Sequence, residues 1–173
     1  VGRMTEEKGH RDLIDAFDIA QTNWADPNTA LHLQLIGDGP LRADLELQAE
    51  KIKDPCSVTF SGALSDVGPS IAQADALILP SLFEGMPNVV LEAMALETPV
   101  IATRAGGTVE LEREEPTILW AEPKNAESLA EAILSFASNP ESSAARSQAA
   151  TRLIKEHHNV ETTCNRLEQY LLT

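Results

Sequence analysis

Short apolar runs that alternate with amphipathic stretches constrain this chain more than any other feature. Six runs read as strands: the tail of one at Val1-Gly2, then residues 31–36, 57–60, 76–79, 99–102 and 117–120. Between them the apolar residues recur at helical spacing, as in Leu13, Ile14, Phe17 and Ala20, or Leu41, Leu45 and Ala49. Weaker helical signals cover 66–73, interrupted at Gly68-Pro69, and one or two turns at 108–113. From Asn125 onward the pattern is helical, broken at Asn139-Pro140 and near Asn159. Strands separated by helices pair in parallel, because each return to the sheet needs a crossover. The expected fold is therefore α/β: a doubly wound parallel sheet of about six strands flanked by helices, with a helical C-terminus. A length of 173 residues suits a single domain over 1–173. In such sheets ligands lie beyond the carboxyl ends of the strands. Arg3, the Gly37–Pro40 turn, Gly62-Ala63-Leu64, residues 81–88 and residues 104–108 all follow expected strands, so they should meet on one rim.

Charge narrows the partners. The formal net charge is −14, which disfavours nucleic acid or an anionic membrane as the main partner. A phosphate ligand would need locally gathered cations, and Arg3 and Lys8 are the first candidates. Two isolated cysteines, Cys56 and Cys164, suit neither a disulfide framework nor a metal cluster. No leader and no apolar run of about 18 residues is evident, and the chain reads as cytoplasmic.

The segment from Phe83 to Met94 carries the functional signal. Glu84 and Glu92 are separated by seven residues, and Pro87 suits the first position of a helix. Met86 before it offers no side-chain cap, which leaves the N–H groups of Asn88 and Val89 seeking an acceptor. Water, a phosphate or a sugar hydroxyl serves that purpose. Counted from Pro87, Glu92 lies about 7.5 Å along the axis, roughly the reach from a diphosphate to a ribose diol. Two carboxylates in this arrangement form a nucleotide-sugar cradle. Read alone, both are equally well explained as solvated surface groups.

Other residues have plainer readings. Arg3 and Lys8 can pair with Glu6, Glu7 or Asp12 on the surface. Gly37-Asp38-Gly39 is primarily a turn, and it lacks the third glycine of a dinucleotide fingerprint, where Arg42 stands. Gly106-Gly107 marks a close approach, to a neighbour or to a ligand. Arg104 is a further candidate cation at the rim. His10, Trp24, Trp120, Cys164 and Tyr170 read as packing residues, and His157-His158 as cations near a helix end.

An ordered series of blocks resembles the C-terminal, donor-binding half of the GT-B retaining glycosyltransferases known as family 4 or group 1. The blocks are Val-Gly-Arg-Met with Lys8-Gly9-His10, Ile36-Gly37-Asp38-Gly39-Pro40-Leu41 and Val58-Thr59-Phe60-Ser61-Gly62. They continue through Ala74-Asp75, Leu79-Pro80-Ser81, Glu84-Gly85-Met86-Pro87, Leu91-Glu92-Ala93-Met94-Ala95, Pro99-Val100-Ile101-Ala102-Thr103 and Gly106-Gly107. The resemblance implies that Arg3 and Lys8 contact the donor's diphosphate and that Glu84 contacts hydroxyls of the transferred sugar. It implies that Glu92 holds the ribose diol. The backbone from Gly85 through Met86, Pro87, Asn88 and Val89 would serve the sugar and distal phosphate, with Gly62, Ala63 and Leu64 beside the base. It further implies retention of anomeric configuration, a nucleotide-diphosphate sugar as donor substrate, and no cofactor or metal. The implied role is polysaccharide biosynthesis, moving a hexosyl group to a saccharide or lipid acceptor.

Two departures stand out. Glu97 precedes Thr98-Pro99 where glycine is usual, so this residue either strains a left-handed turn or lengthens the helix. The acceptor domain that normally comes first is not in this sequence, so the chain is expected to be inactive alone. The full-length protein is then a candidate for peripheral membrane association. In that setting Leu167, Leu171 and Leu172 of a last helix over 166–172 would pack toward the other domain. The competing reading is a non-catalytic nucleotide-binding or interaction module with the same fold; a nucleotide-sugar epimerase is disfavoured by the Glu-seven-Glu spacing.

Overall fold

The computed structural model describes residues 1–112 and 115–157. The expected breaks and residues at 113, 114 and 158–173, including Arg113, His158, Asn159, Cys164, Tyr170 and the 166–172 helix, lie outside the described residues. Five expected strands form: β1 (Leu33–Ile36), β2 (Val58–Gly62), β3 (Leu77–Leu79), β4 (Val100–Thr103) and β5 (Ile118–Ala121). All pairings are parallel, in two sheets ordered β1-β2 and β3-β4-β5. Val1-Gly2 is not itself a strand, but Gly2 N–H donates to Ile36 O at 2.9 Å and so lies along β1.

The helices are α1 (His10–Asn23), α2 (Arg42–Ala49), α3 (Gly68–Gln73), α4 (Asn88–Ala95), α5 (Ala126–Ser138) and α6 (Pro140–His157). Gly68-Pro69 begins α3 instead of interrupting it, because proline is tolerated where no N–H is needed. Asn139-Pro140 separates α5 from α6 as the sequence implies, and Gly106–Leu111 forms only a 3-10 turn. The alternation of burial follows the sequence pattern. Leu13, Ile14, Phe17 and Ala20 of α1 are buried against Leu129, Ala130 and Ile133 of α5 and Leu33 and Leu35 of β1. A second cluster gathers Leu77 and Leu79 of β3, Val90, Ala93 and Met94 of α4, and Ala150 and Leu153 of α6. β4 is buried along its whole length, as the middle strand of its sheet must be.

Candidate functional site

The expected rim forms, and main-chain hydrogen bonds stitch it together. Gly37 N–H donates to Gly62 O at 2.7 Å, Met4 N–H to Asp38 O at 2.9 Å, and Leu82 N–H to Glu7 O at 2.8 Å. Gly107 N–H reaches Glu84 O at 2.9 Å. The loops after β1, β2, β3 and β4 thus meet the segment after Gly2 at one end of the strands.

Glycine makes two of these approaches possible. A Cβ on Gly9 would sit 2.0 Å from Pro80 O, which brings the turn carrying Lys8 flat against the end of β3. At Gly106 and Gly107, a Cβ would meet Glu84 O at 2.0 Å and Gly85 O at 1.8 Å. The close approach at Gly106-Gly107 is therefore to a neighbouring loop, and it fixes the backbone of Glu84 and Gly85.

Glu84 is the best-held carboxylate of the rim. Its side chain is only 9% exposed, and Oε1 accepts from Lys8 Nζ at 2.7 Å and from Ser81 Oγ at 2.7 Å. Thr103 Oγ1 in turn donates to Ser81 O, tying the carboxylate's support to β4. Lys8 therefore pairs across the fold and not with Glu6, Glu7 or Asp12. The role of Ser81 as a partner of Glu84 was not legible beforehand; its position three residues upstream was the available signal.

The start of α4 differs from the sequence reading by one residue. Pro87 has φ −79° and ψ 88°, so it is the cap and not the first helical residue. Asn88 takes that place, and Glu92 then lies about 6 Å along the axis instead of 7.5 Å. The reason is that Pro87 O already accepts the first helical bond, from Val90 N–H at 2.9 Å, which is the job of a capping residue. The consequence expected for the N-terminus is unchanged: no side chain caps it. Asn88 and Glu92 share the exposed face, one turn apart, while Val90, Ala93 and Met94 are buried. The mouth is open, since nothing lies within 4 Å of a Cβ built on Gly85.

Arg3 is exposed on the same rim and makes no ion pair among the described residues. Ala63 and Leu64 are exposed beyond Gly62. Arg42, absent from the sequence-derived site, lies beside them, with Nη1 3.3 Å from a Cβ position on Gly62. It is held by Glu46 at 2.8 Å and Asp38 at 3.4 Å. Arg104 is engaged elsewhere: its guanidinium covers the Trp120 ring at 4.9 Å and faces Glu122 at 3.9 Å. Phe83 is 71% exposed and Met86 50%, an apolar lip beside Glu84. Among the described residues no group of three or more His, Cys, Asp or Glu is placed to hold a metal, and no helix is long and apolar enough to cross a membrane.

A family model described as glycosyl transferases group 1 matches residues 1–139. The chain belongs to the group 1 glycosyl transferases. As a group 1 glycosyl transferase it is 36% identical over 136 residues to the putative teichuronic acid biosynthesis glycosyltransferase TuaC of Bacillus subtilis. That match covers 79% of this chain and 31% of TuaC. It is 29% identical to the glycogen synthase of Mycobacterium tuberculosis across 99% of this chain and 41% of that protein. The chain thus spans less than half the length of these relatives. Anabaena Alr3699/HepE, solved in complex with UDP, superposes with a TM-score of 0.86 at 25% identity, covering 98% of this chain and 46% of that one. The C-terminal domain of the group 1 protein LpcC from Francisella tularensis has the same fold, with a TM-score of 0.78 at 24% identity over 92% of this chain and 84% of that one. The α/β architecture is that of one Rossmann-like half of a GT-B enzyme.

Proposed function

We propose that this chain is the donor-binding domain of a retaining glycosyltransferase that moves a hexosyl group from a nucleotide-diphosphate sugar to a saccharide or lipid acceptor. The observation that carries the reading is Glu84, buried and clasped by Lys8 next to an uncapped helix mouth. Lys8 and Glu84 neutralise each other when the seat is empty. A diphosphate sugar offers each of them a new partner: phosphate oxygens for Lys8, and sugar hydroxyls for the carboxylate. Arg3, exposed on the rim and close enough to Glu7 to lower its pKa, adds a second cation. The N–H groups of Asn88 and Val89 face the distal phosphate, and Glu92 one turn on accepts from the ribose diol. Gly62, Ala63 and Leu64 border the base. Relatives' complexes with UDP, and with UDP and glucose, support a uridine nucleotide as the first donor to test.

The chemistry asked of these residues is stabilisation of a leaving group. As the glycosidic bond to the donor breaks, negative charge grows on the departing phosphate, and Arg3, Lys8 and the α4 amides are preorganised to meet it. These cations and amides take the place of a metal at the diphosphate. The apolar lip of Phe83 and Met86 suits coverage by an acceptor-binding domain, and turnover belongs to the assembled cleft.

Isothermal calorimetry of the chain with UDP, GDP and ADP tests the reading. Saturable binding is expected, with a Kd between about 1 μM and 1 mM. Glu92→Ala should weaken the nucleotide about tenfold, a cost of about 1.4 kcal/mol. Glu84→Ala should affect a nucleotide sugar more than the bare nucleotide. No saturable heat up to about 1 mM for any of the three would overturn the assignment.

A further inference from the structure

Arg42 stands on the rim outside the seat formed by Lys8, Glu84 and α4, and it is held in place. It opens α2, where its Nε donates to Glu46 Oε1 at 2.8 Å, four residues on. Its Nη1 donates to Asp38 Oδ2 at 3.4 Å, four residues back. The two carboxylates offset its charge, which makes it a poor long-range anchor for phosphate. They also fix the planar fork. Of the five N–H groups of a guanidinium, two are spent on these carboxylates, and three are left without an acceptor among the described residues.

The neighbouring loop gives this fork something to read. β1 and β2 end side by side, and the bond from Gly37 N–H to Gly62 O ties the turn before Arg42 to the loop after β2. At Gly62 the backbone has φ 70°, and Arg42 Nη1 lies 3.3 Å from where a Cβ would stand. Lacking a side chain, Gly62 lets the guanidinium rest against the end of the strand. Immediately beyond, Ala63 and Leu64 are exposed, Leu64 by 41%. A small apolar surface edged by a rigid set of donors complements a flat ring with apolar faces and carbonyl oxygens on its perimeter.

Given the donor seat proposed above, on which this assignment rests, we infer that Arg42 determines base specificity: its unclaimed N–H groups donate to a ring carbonyl of the donor's base, selecting uracil or guanine over cytosine or adenine. Uracil and guanine carry a carbonyl at the edge where cytosine and adenine carry an amino group. An amino group turns its own hydrogens toward the guanidinium, so the bond is lost and two donors face each other. The carboxylates offer little rescue. Asp38 Oδ1 accepts from Gly39 N–H at 2.7 Å, while Asp38 Oδ2 and Glu46 Oε1 face Arg42. Because its charge is offset, Arg42 acts on the choice of base and not on nucleotide affinity at large.

Calorimetry with UDP, CDP, GDP and ADP tests this on the chain and on Arg42→Ala, Arg42→Lys and Arg11→Ala. The chain should bind UDP at least about tenfold tighter than CDP, or GDP at least about tenfold tighter than ADP; the pair that shows the ratio tells which carbonyl base fits. In Arg42→Ala the ratio should fall below about threefold, with CDP and ADP affinities changed by less than about twofold. Arg42→Lys, which keeps a charge and loses the fork, should give an intermediate ratio. Arg11→Ala, which breaks the pairs to Glu6 and Asp44, should leave the ratio unchanged. Circular dichroism checks that each variant folds. If Arg42→Ala does not, Arg42→Met keeps the stem without the donors and takes its place. A ratio that survives the loss of Arg42 overturns the assignment, as does a preference of the chain for CDP or ADP. Equal weakening of all four nucleotides also overturns it, since Arg42 would then act on the diphosphate. If binding depends on Glu92 while the ratio ignores Arg42, the donor reading stands and this assignment alone falls. If no nucleotide binds, both fall.

Discussion

Lys8 and Glu84 concentrate the logic of this domain in one contact. The carboxylate is nearly enclosed, the ammonium is 29% exposed, and their separation is 2.7 Å. Removing the cation leaves Glu84 with Ser81 alone, which a partly buried pair should register as a loss of about 1–3 kcal/mol in stability for Lys8→Met. Combining it with Glu84→Gln should recover part of that loss. Denaturant titrations of the four proteins measure the coupling, and an additive double variant would contradict it. His10 gives a pH dependence. Burial first, with the Lys8 charge adding to it, pulls its pKa from 6.5 to about 4. The unfolded chain therefore binds a proton that the folded one refuses, and stability falls as pH drops from about 6.5 toward 4, by about 3 kcal/mol at most. His10→Asn should flatten that part of the stability-against-pH curve.

Helix α4 shows how local backbone chemistry frames the seat at both ends. At its far end Glu97 adopts φ 63°, with Thr98 N–H donating to Ala93 O at 2.9 Å and Glu97 N–H to Met94 O at 3.3 Å. Those two bonds make a Schellman closure with glutamate in the position glycine normally fills. Of the two expectations for Glu97, the strained turn is the one realised, and the helix is not lengthened. Because a left-handed residue with a Cβ costs about 1–2 kcal/mol and glycine loses part of that through its freer unfolded chain, Glu97→Gly should stabilise by about 1 kcal/mol. Thermal melting would show a rise of about 2–4 °C, and no rise would place the strain elsewhere. Ser147 Oγ donating to Glu97 O at 2.6 Å ties this turn to α6.

Across the molecule, the alternation of apolar runs and helical periods was enough to place the strands, their parallel pairing and the rim, because each depends on local pattern and on a connection rule. Pairings distant in sequence were not legible. Lys8 and Glu84 lie 76 residues apart, and nothing near either named the other. The boundary at Pro87 shifted because proline serves as a cap or as a first helical residue with nearly the same φ, and only the tertiary path sets ψ. Arg42 beside Gly62 was hidden by reading its turn as a failed fingerprint. What joins the rim is chiefly amide and carbonyl, from Gly37 to Gly62, Met4 to Asp38, Leu82 to Glu7 and Gly107 to Glu84. Such ties are indifferent to which side chain a residue bears. Descendants of this architecture are thus free to vary most loop residues and change what they recognise, while positions 9, 106 and 107, where any larger residue would wedge the loops apart, stay closed to change.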